Sequence, residues 1–156
     1  MSQYATFYLN DALFGINILH VRELNRQLSY TPVPDASEYI KGLLNLRGQV
    51  VTIFDLAKRL GYSESQITDR TRNMILRTDN ETAKYHANGW LSLKVGDDPI
   101  GFLIDEIGDV VDDLVYTIQP IPANLEYLNM EYITGVIELE KELLVLINIE
   151  KIFEIH

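Results

Sequence analysis

The chain has 156 residues, a length typical of one domain or of two small domains that share a core. It contains no cysteine, which excludes disulfide bonds and thiolate chemistry. No apolar stretch approaches the ~18–20 residues that a membrane-spanning helix needs, and the first residues lack the pattern of a signal peptide. The formal net charge of −10 argues against binding to nucleic acid or to anionic lipid, because such a surface repels phosphate groups.

The chain begins with a predicted β-hairpin. Over Gln3–Leu9, every second residue is apolar (Ala5, Phe7 and Leu9), which is the period of a strand. Asn10-Asp11 is a turn signal, and the apolar residues Phe14, Ile16 and Ile18 alternate in the return strand. Gly15 lies inside that return strand, where a glycine usually marks a bulge or a close approach of two backbones.

The segment that follows occurs twice. Tyr39–Leu60 returns as Tyr132–Phe153 at a constant offset of 93 residues, and apolar positions coincide with apolar positions. Each copy predicts a strand, a tight turn, a second strand and a short helix. Gly48 suits the turn because glycine tolerates a positive φ. Asp55 and its equivalent Asn148 are predicted N-caps, because both side chains accept the free amide hydrogens of a first helical turn.

A second hairpin is predicted ahead of the second copy. Leu91–Val95 is interpreted as a strand, Gly96-Asp97-Asp98 as a turn and Ile100–Ile104 as the return strand. Gly101 then matches Gly15 at an offset of 86 residues. Short strands with few helices favour two small β-barrels side by side.

One block of the repeat is not copied. Asn45-Leu46-Arg47-Gly48 in the first copy is replaced by Glu138-Leu139-Glu140-Lys141 in the second. The hairpin offset also aligns Glu23 with Asp109. Only the first copy therefore has an acid and a base that can pair at these positions, and we expect the two halves to differ in function here.

Residues with obvious chemistry are few. The histidines are scattered along the chain, and no acidic cluster brackets any of them, so we predict no metal site and no cofactor. Acidic pairs do occur, and two carboxylates across a cleft would allow a small hydrolase. Neighbours on a strand point to opposite faces, however, which makes this a remote alternative. The residues concerned are His20, His86 and His156, and Asp97-Asp98, Asp105-Glu106 and Asp112-Asp113.

Ile40-Lys41-Gly42 and Asn45-Leu46-Arg47-Gly48, followed by Ile53-Phe54-Asp55-Leu56, resemble the CheW chemotaxis coupling proteins. The resemblance extends over almost the whole chain, through Phe14–Leu24, Gly101–Ile107 and Leu146–Phe153. It implies an all-β fold of two SH3-like five-stranded β-barrels packed around a hydrophobic groove, with short helices. We expect a single domain over residues 1–156, with barrels at about 1–72 and 73–156, and an exchange of terminal strands between the barrels is compatible with this division.

The resemblance also implies a non-enzymatic adaptor that couples chemoreceptors to the histidine kinase CheA. Its partners would be the cytoplasmic tip of a methyl-accepting chemotaxis protein and the regulatory domain of CheA. The protein would be cytoplasmic and recruited to membrane-associated receptor arrays, without inserting into the membrane. A related adaptor in a pilus-motility or second-messenger pathway is the alternative.

The resemblance places the receptor groove on Val21, Glu23, Gly42, Arg47, Ile107 and Val110, and the structural motif on Asn45, Gly48, Asp55, Gly101 and Asn148. We predict that Glu23 and Arg47 form an ion pair, because a guanidinium at a tight turn offers two parallel donors to a carboxylate. Arg47 as a solvated turn residue is the alternative. Val21, Ile107 and Val110 either line a groove for a receptor helix or belong to the core.

The chain departs from the family pattern between Asp55 and Gly101. Two candidates, Met74–Leu76 and Leu91–Val95, compete for one expected strand, and the polar stretch Arg77–Gly89 resembles an insertion.

Overall fold

The computed structural model describes residues 2–113, 116–121, 123 and 130–154. The described residues form strands β1 to β12 at Gln3–Leu9, Ala12–Asn17, Val21–Asn25, Ile40–Leu46, Gln49–Phe54, Arg72–Leu76, Ile100–Ile104, Glu106–Ile107, Val111–Asp112, Ile118–Gln119, Ile133–Glu138 and Leu143–Ile147. The short helices α1, α2 and α3 are Leu56–Arg59, Asp79–Ala87 and Ile149–Ile152, and 3-10 turns lie at Ile18–His20 and Met130–Tyr132. The prediction of an all-β fold with short helices is confirmed.

The strands form two sheets that exchange strands between the halves of the chain. Sheet A has seven strands, with β9 paired to β1 beside the path β10-β11-β12-β2-β1-β8, and sheet B has five in the order β3-β6-β7-β5-β4. Both sheets contain one parallel contact, which aligns Leu146 with Gly15 in sheet A and Ile53 with Gly101 in sheet B. These pairs are equivalent in the repeat, so each hairpin joins the motif of the other half. The division at residue 72 therefore does not separate the sheets.

The predicted strand at Leu91–Val95 is wrong. The antiparallel partner of β7 is β6, and this pairing aligns Met74 with Phe102. Leu93 and Val95 instead pack their side chains against the main core without joining a sheet. The alternation of apolar residues at 91–95 therefore reflects packing against the core and not hydrogen bonding to another strand. We use the name insertion for residues 77–99, which connect β6 to β7. The polar part of this segment forms α2, which begins at a capping box between Thr78 and Glu81.

The two early hairpins use the same turn. Asn10 and Asp11 have φ of 52° and 68°, and Arg47 and Gly48 have φ of 52° and 83°. Two successive residues with positive φ make a type I′ turn, whose twist matches that of the flanking strands. Asn45 supports the second turn, since its Oδ1 accepts a hydrogen bond from Gly48 N at 3.0 Å.

The helix caps of the repeat are equivalent in geometry. Asp55 and Asn148 have φ/ψ of −88°/91° and −86°/92°, and each side chain accepts from the backbone N–H three residues later. The capping prediction is confirmed. Asp55 is 2% exposed and also accepts from Ser65 N at 3.1 Å and Ser65 Oγ at 3.0 Å. Its carboxylate therefore fixes the loop after α1 as well as the helix.

The extra contacts of Asp55 with Ser65 predict that loss of the Asp55 cap destabilises the protein more than loss of the Asn148 cap. Asp55→Ala should lower the free energy of unfolding by about 3 kcal/mol, because it removes the cap and leaves the Ser65 donors without a partner. Asn148→Ala should cost only about 1 kcal/mol, which is the typical value of a cap. Urea denaturation of both variants measures the difference, and equal losses would contradict the role of Ser65.

One core joins the two sheets. Phe7 and Phe14 of sheet A and Phe102 of sheet B are each 0% exposed, and the rings of Phe7 and Phe102 lie 5.3 Å apart. Gly101 allows this packing, because a Cβ there would lie 2.6 Å from the carbonyl oxygen of Met74 on the neighbouring strand. The predicted structural role of Gly101 thus corresponds to a close approach of two backbones.

Candidate functional site

An apolar groove of ≈ 230 Å³ lies where the two sheets meet. Its lining comes from both sheets: Ala5, Thr6, Ile18, Val21, Leu24, Met74, Ile107, Gly108 and Val110. Leu24 and Ile107 are each 42% exposed, and Val110 is 54% exposed. Large apolar side chains that converge on one groove and stay this exposed make the groove a candidate binding site.

The structure brings three predicted groove residues together and adds one that the sequence did not reveal. Val21, Ile107 and Val110 all line the groove. Leu24 also lines it, although residues three apart on a regular strand point to opposite faces. The pairing of β3 with β6 shifts register between Val21 and Glu23, and this bulge turns Leu24 to the side of Val21.

Glu23 and Arg47 form the predicted ion pair. Arg47 Nη2 donates to Glu23 Oε1 at 2.5 Å. The hydrogen bond and the charge of Glu23 raise the pKa of Arg47. Glu23 lies on β3 and Arg47 on the turn after β4, and these strands are the two opposite edges of sheet B. The ion pair therefore joins the edges of the sheet, which requires the sheet to curve back on itself.

A second polar link lies beside the first. Arg22 Nη1 donates to Gln49 Oε1 at 3.1 Å, and Arg22 Nη2 donates to Glu81 on the inserted helix α2. Burial raises the pKa of Glu81, but the hydrogen bonds from Arg22 and from Thr78 outweigh it and lower that pKa. The insertion is thus attached to the same edge of sheet B as the predicted ion pair, a connection that no local pattern in the sequence indicates.

The second half of the chain lacks this feature. The equivalents of Glu23 and Arg47 are Asp109 and Glu140, which are both acids and cannot pair with each other. The hairpin turn there is also different, because Glu138 and Leu143 pair across a loop of four residues where the first copy has two. The two halves therefore differ here in both charge and turn geometry.

Glu23 and Arg47 do not line the groove, and neither does Gly42. It lies on β4 with φ of 154°, and a Cβ would meet Thr31 O at 2.7 Å. Its equivalent, Gly135, is crowded in the same way by Ile118, whose Cγ2 would be 2.8 Å from a Cβ. The glycine is repeated because a neighbouring segment crosses each strand closely, which is a structural role.

The acidic pairs do not form an enclosed catalytic cleft among the described residues. Asp97 accepts from Asn80 N at 2.9 Å and Asp105 accepts from Asn10 N at 2.8 Å, which is turn and helix-end chemistry. Asp109, Asp112 and Glu142 line an open cleft of ≈ 410 Å³ beside the groove. Asp109 and Glu142 are exposed to solvent, whereas a catalytic acid of a glycosidase needs an environment that keeps it protonated.

The part of the chain that the structure describes holds no group of three or more side chains arranged to bind a metal. His20 and His86 are closer than their sequence positions suggest, with ring centroids 6.5 Å apart, and His156 lies outside the described residues. No helix among the described residues is both long and apolar enough to cross a membrane.

A duplicated all-β fold with an open apolar groove, one of whose lining strands also carries an ion pair, defines a protein-binding module. The chain belongs to the CheW-like domain family, whose model matches residues 3–155. The chemotaxis protein CheW of Treponema pallidum is 29% identical over 97% of this chain and 81% of its own length, and that of Bacillus subtilis is 27% identical over 95% and 84%. The crystal structure of the scaffolding protein TtCheW from Thermoanaerobacter tengcongensis superposes with a TM-score of 0.78 at 23% identity, covering 99% of this chain and 89% of that one.

Proposed function

We propose that this protein is a non-enzymatic adaptor of bacterial chemotaxis, which couples the cytoplasmic tip of a chemoreceptor to the regulatory domain of the kinase CheA. The observation that carries the proposal is the groove, where Leu24, Ile107 and Val110 remain exposed. The strand β3, which supplies Leu24, also carries Glu23 of the ion pair. The names of the relatives favour chemotaxis over a pilus or second-messenger pathway. The protein would act in the cytoplasm, at receptor arrays.

The receptor would bind as a helix that lays its apolar face into the groove. Each 100 Å² of apolar surface that becomes covered would contribute about 2.5 kcal/mol, less the cost of association. The Glu23–Arg47 pair either holds the wall of the groove or releases Arg47 to a carboxylate of the receptor. The kinase domain would pair with an end of a sheet, and Val50, which is 56% exposed two residues after Gly48, supports the turn of sheet B as that end.

Val110→Asp tests the groove directly. A carboxylate in the covered groove would lose its hydration, so we expect at least about a tenfold loss of affinity for a receptor cytoplasmic fragment. Ile67→Asp is the matched control, because Ile67 is 47% exposed and does not line the groove. Isothermal titration of both variants gives the comparison. Equal affinities would exclude the groove, and no binding of the unaltered protein to receptor or kinase fragments would remove the adaptor proposal.

Arg47→Glu separates the two roles of the ion pair. The exposed pair contributes little to stability, so the unfolding midpoint should barely change, whereas receptor affinity should fall about tenfold. The double variant Glu23→Arg, Arg47→Glu restores a pair of opposite orientation. Recovery of binding in the double variant would show that the pair holds the wall, and continued loss would show that Arg47 contacts the receptor. Unchanged binding in the single variant would contradict both roles.

A further inference from the structure

A second cleft, of ≈ 280 Å³, lies between the insertion and sheet A. The insertion supplies Trp90 and Leu93, and sheet A supplies Tyr4, Ile16 and Thr134. The cleft shares no lining residue with the receptor groove. One wall of the cleft is thus the segment that connects β6 to β7, and the other wall is sheet A.

The lining of this cleft is uncharged. The protein carries 23 acidic and 13 basic side chains, yet none of them lines the cleft. A charged ligand would lose its hydration here without gaining a counter-ion. The cleft therefore selects neutral molecules.

His20 is the buried polar group of this cleft. It is 3% exposed, and its Nδ1 has no hydrogen-bond partner. Burial and the neighbouring His86 hold the pKa of His20 at about 4, against the weaker effect of Asp79, so the imidazole is neutral near pH 7. A buried ring with unmet hydrogen-bonding capacity is costly unless something in the cleft relieves it.

Trp90 provides an aromatic wall of the cleft. It is 58% exposed, yet its backbone N–H donates to Tyr85 O at 2.8 Å and its ring stacks on that of Tyr85 at 6.1 Å. An aromatic side chain fixed in this way loses little conformational entropy when a ligand packs against it.

We propose that this cleft binds a neutral, planar aromatic molecule with one hydroxyl group, whose ring packs against Trp90 and whose hydroxyl hydrogen-bonds to His20. A hydroxyl both donates and accepts, so it can serve either tautomer of the imidazole. The volume accommodates a single substituted ring, and the apolar walls with few polar groups match the usual composition of small-molecule sites.

Trp90 is the only tryptophan in the chain, so its indole N–H gives one cross-peak in a ¹H–¹⁵N spectrum. Three probes are titrated: p-cresol, toluene and 4-hydroxybenzoate. We expect p-cresol to shift the Trp90 indole and the amides of Ser92 and Leu93, with toluene and the charged 4-hydroxybenzoate each binding about tenfold more weakly. No shift with p-cresol, or shifts confined to other parts of the protein, would overturn the proposal.

Variants of His20 and Trp90 test which contact each residue makes with the probes. His20→Phe should abolish the preference for p-cresol over toluene, while Trp90→Ala should weaken both probes, read from the Leu93 amide. Trp90 is exposed, so its replacement keeps the proposal testable if His20→Phe does not fold. Ile67→Ala, which lies outside the cleft, should leave all three affinities unchanged. An unchanged p-cresol affinity in Trp90→Ala, or an unchanged preference in a folded His20→Phe, would overturn the site.

Discussion

Lowering the pH from 7 to 5 should reduce the free energy of unfolding through His20 by about 2 kcal/mol. Burial and His86 lower the pKa of His20 from 6.5 to about 4 in the folded protein. As the pH falls below 6.5, the unfolded chain binds a proton that the folded protein does not, so stability is lost between pH 6.5 and pH 4. Well above pH 6.5 both states hold the neutral ring, and this contribution no longer changes with pH.

Urea denaturation at pH 7 and pH 5 measures this effect. His20→Phe should lose less stability between the two pH values than the unaltered protein, because phenylalanine does not titrate. Other groups titrate in both proteins, so the difference between their two losses isolates His20. Identical losses would mean that the folded protein accepts a proton on His20 as readily as the unfolded chain does.

Arg59→Ala should lower the free energy of unfolding by about 3 kcal/mol, because several contacts of one guanidinium are lost together. The guanidinium carbon lies 4.8 Å from the ring centre of Tyr39 and 4.9 Å from that of Tyr132. Arg59 also donates from Nε to Ile152 O at 3.1 Å and from Nη2 to Glu154 O at 2.8 Å. Tyr39 and Tyr132 are equivalent in the repeat, so this one side chain joins the two copies.

Two matched variants show whether the planar guanidinium of Arg59 is needed for stability. Arg59→Lys keeps the charge but cannot donate to two carbonyls in the same plane, and we expect it to recover less than half of the loss. Lys58→Ala removes a neighbouring charge on the same helix and should change stability by less than about 0.5 kcal/mol. Full recovery by lysine would reduce the role of Arg59 to its charge.

Several features of this fold can be predicted from local sequence patterns. The Asn10-Asp11 turn and the caps at Asp55 and Asn148 depend on residues close in sequence, and the structure confirms them. The duplication is visible because two segments 93 residues apart carry the same pattern. The Glu23–Arg47 pair was also predicted, but its two residues are 24 apart, and the resemblance to a family carried that step. The alternation at Leu91–Val95 predicted a strand that does not form, because packing against a core and strand pairing produce the same pattern over so short a segment.

The sequence by itself determined the class of fold, the repeat and the place where the two copies differ, because periodicity, turn chemistry and capping act over a few residues. Only the tertiary structure decided that the hairpins are exchanged between the halves, which depends on contacts such as that of Gly15 with Leu146. It also decided that a bulge turns Leu24 into the groove and that Arg22 binds Glu81 of the insertion. These features join residues far apart in the chain, and their energy depends on how whole sheets pack rather than on any local preference.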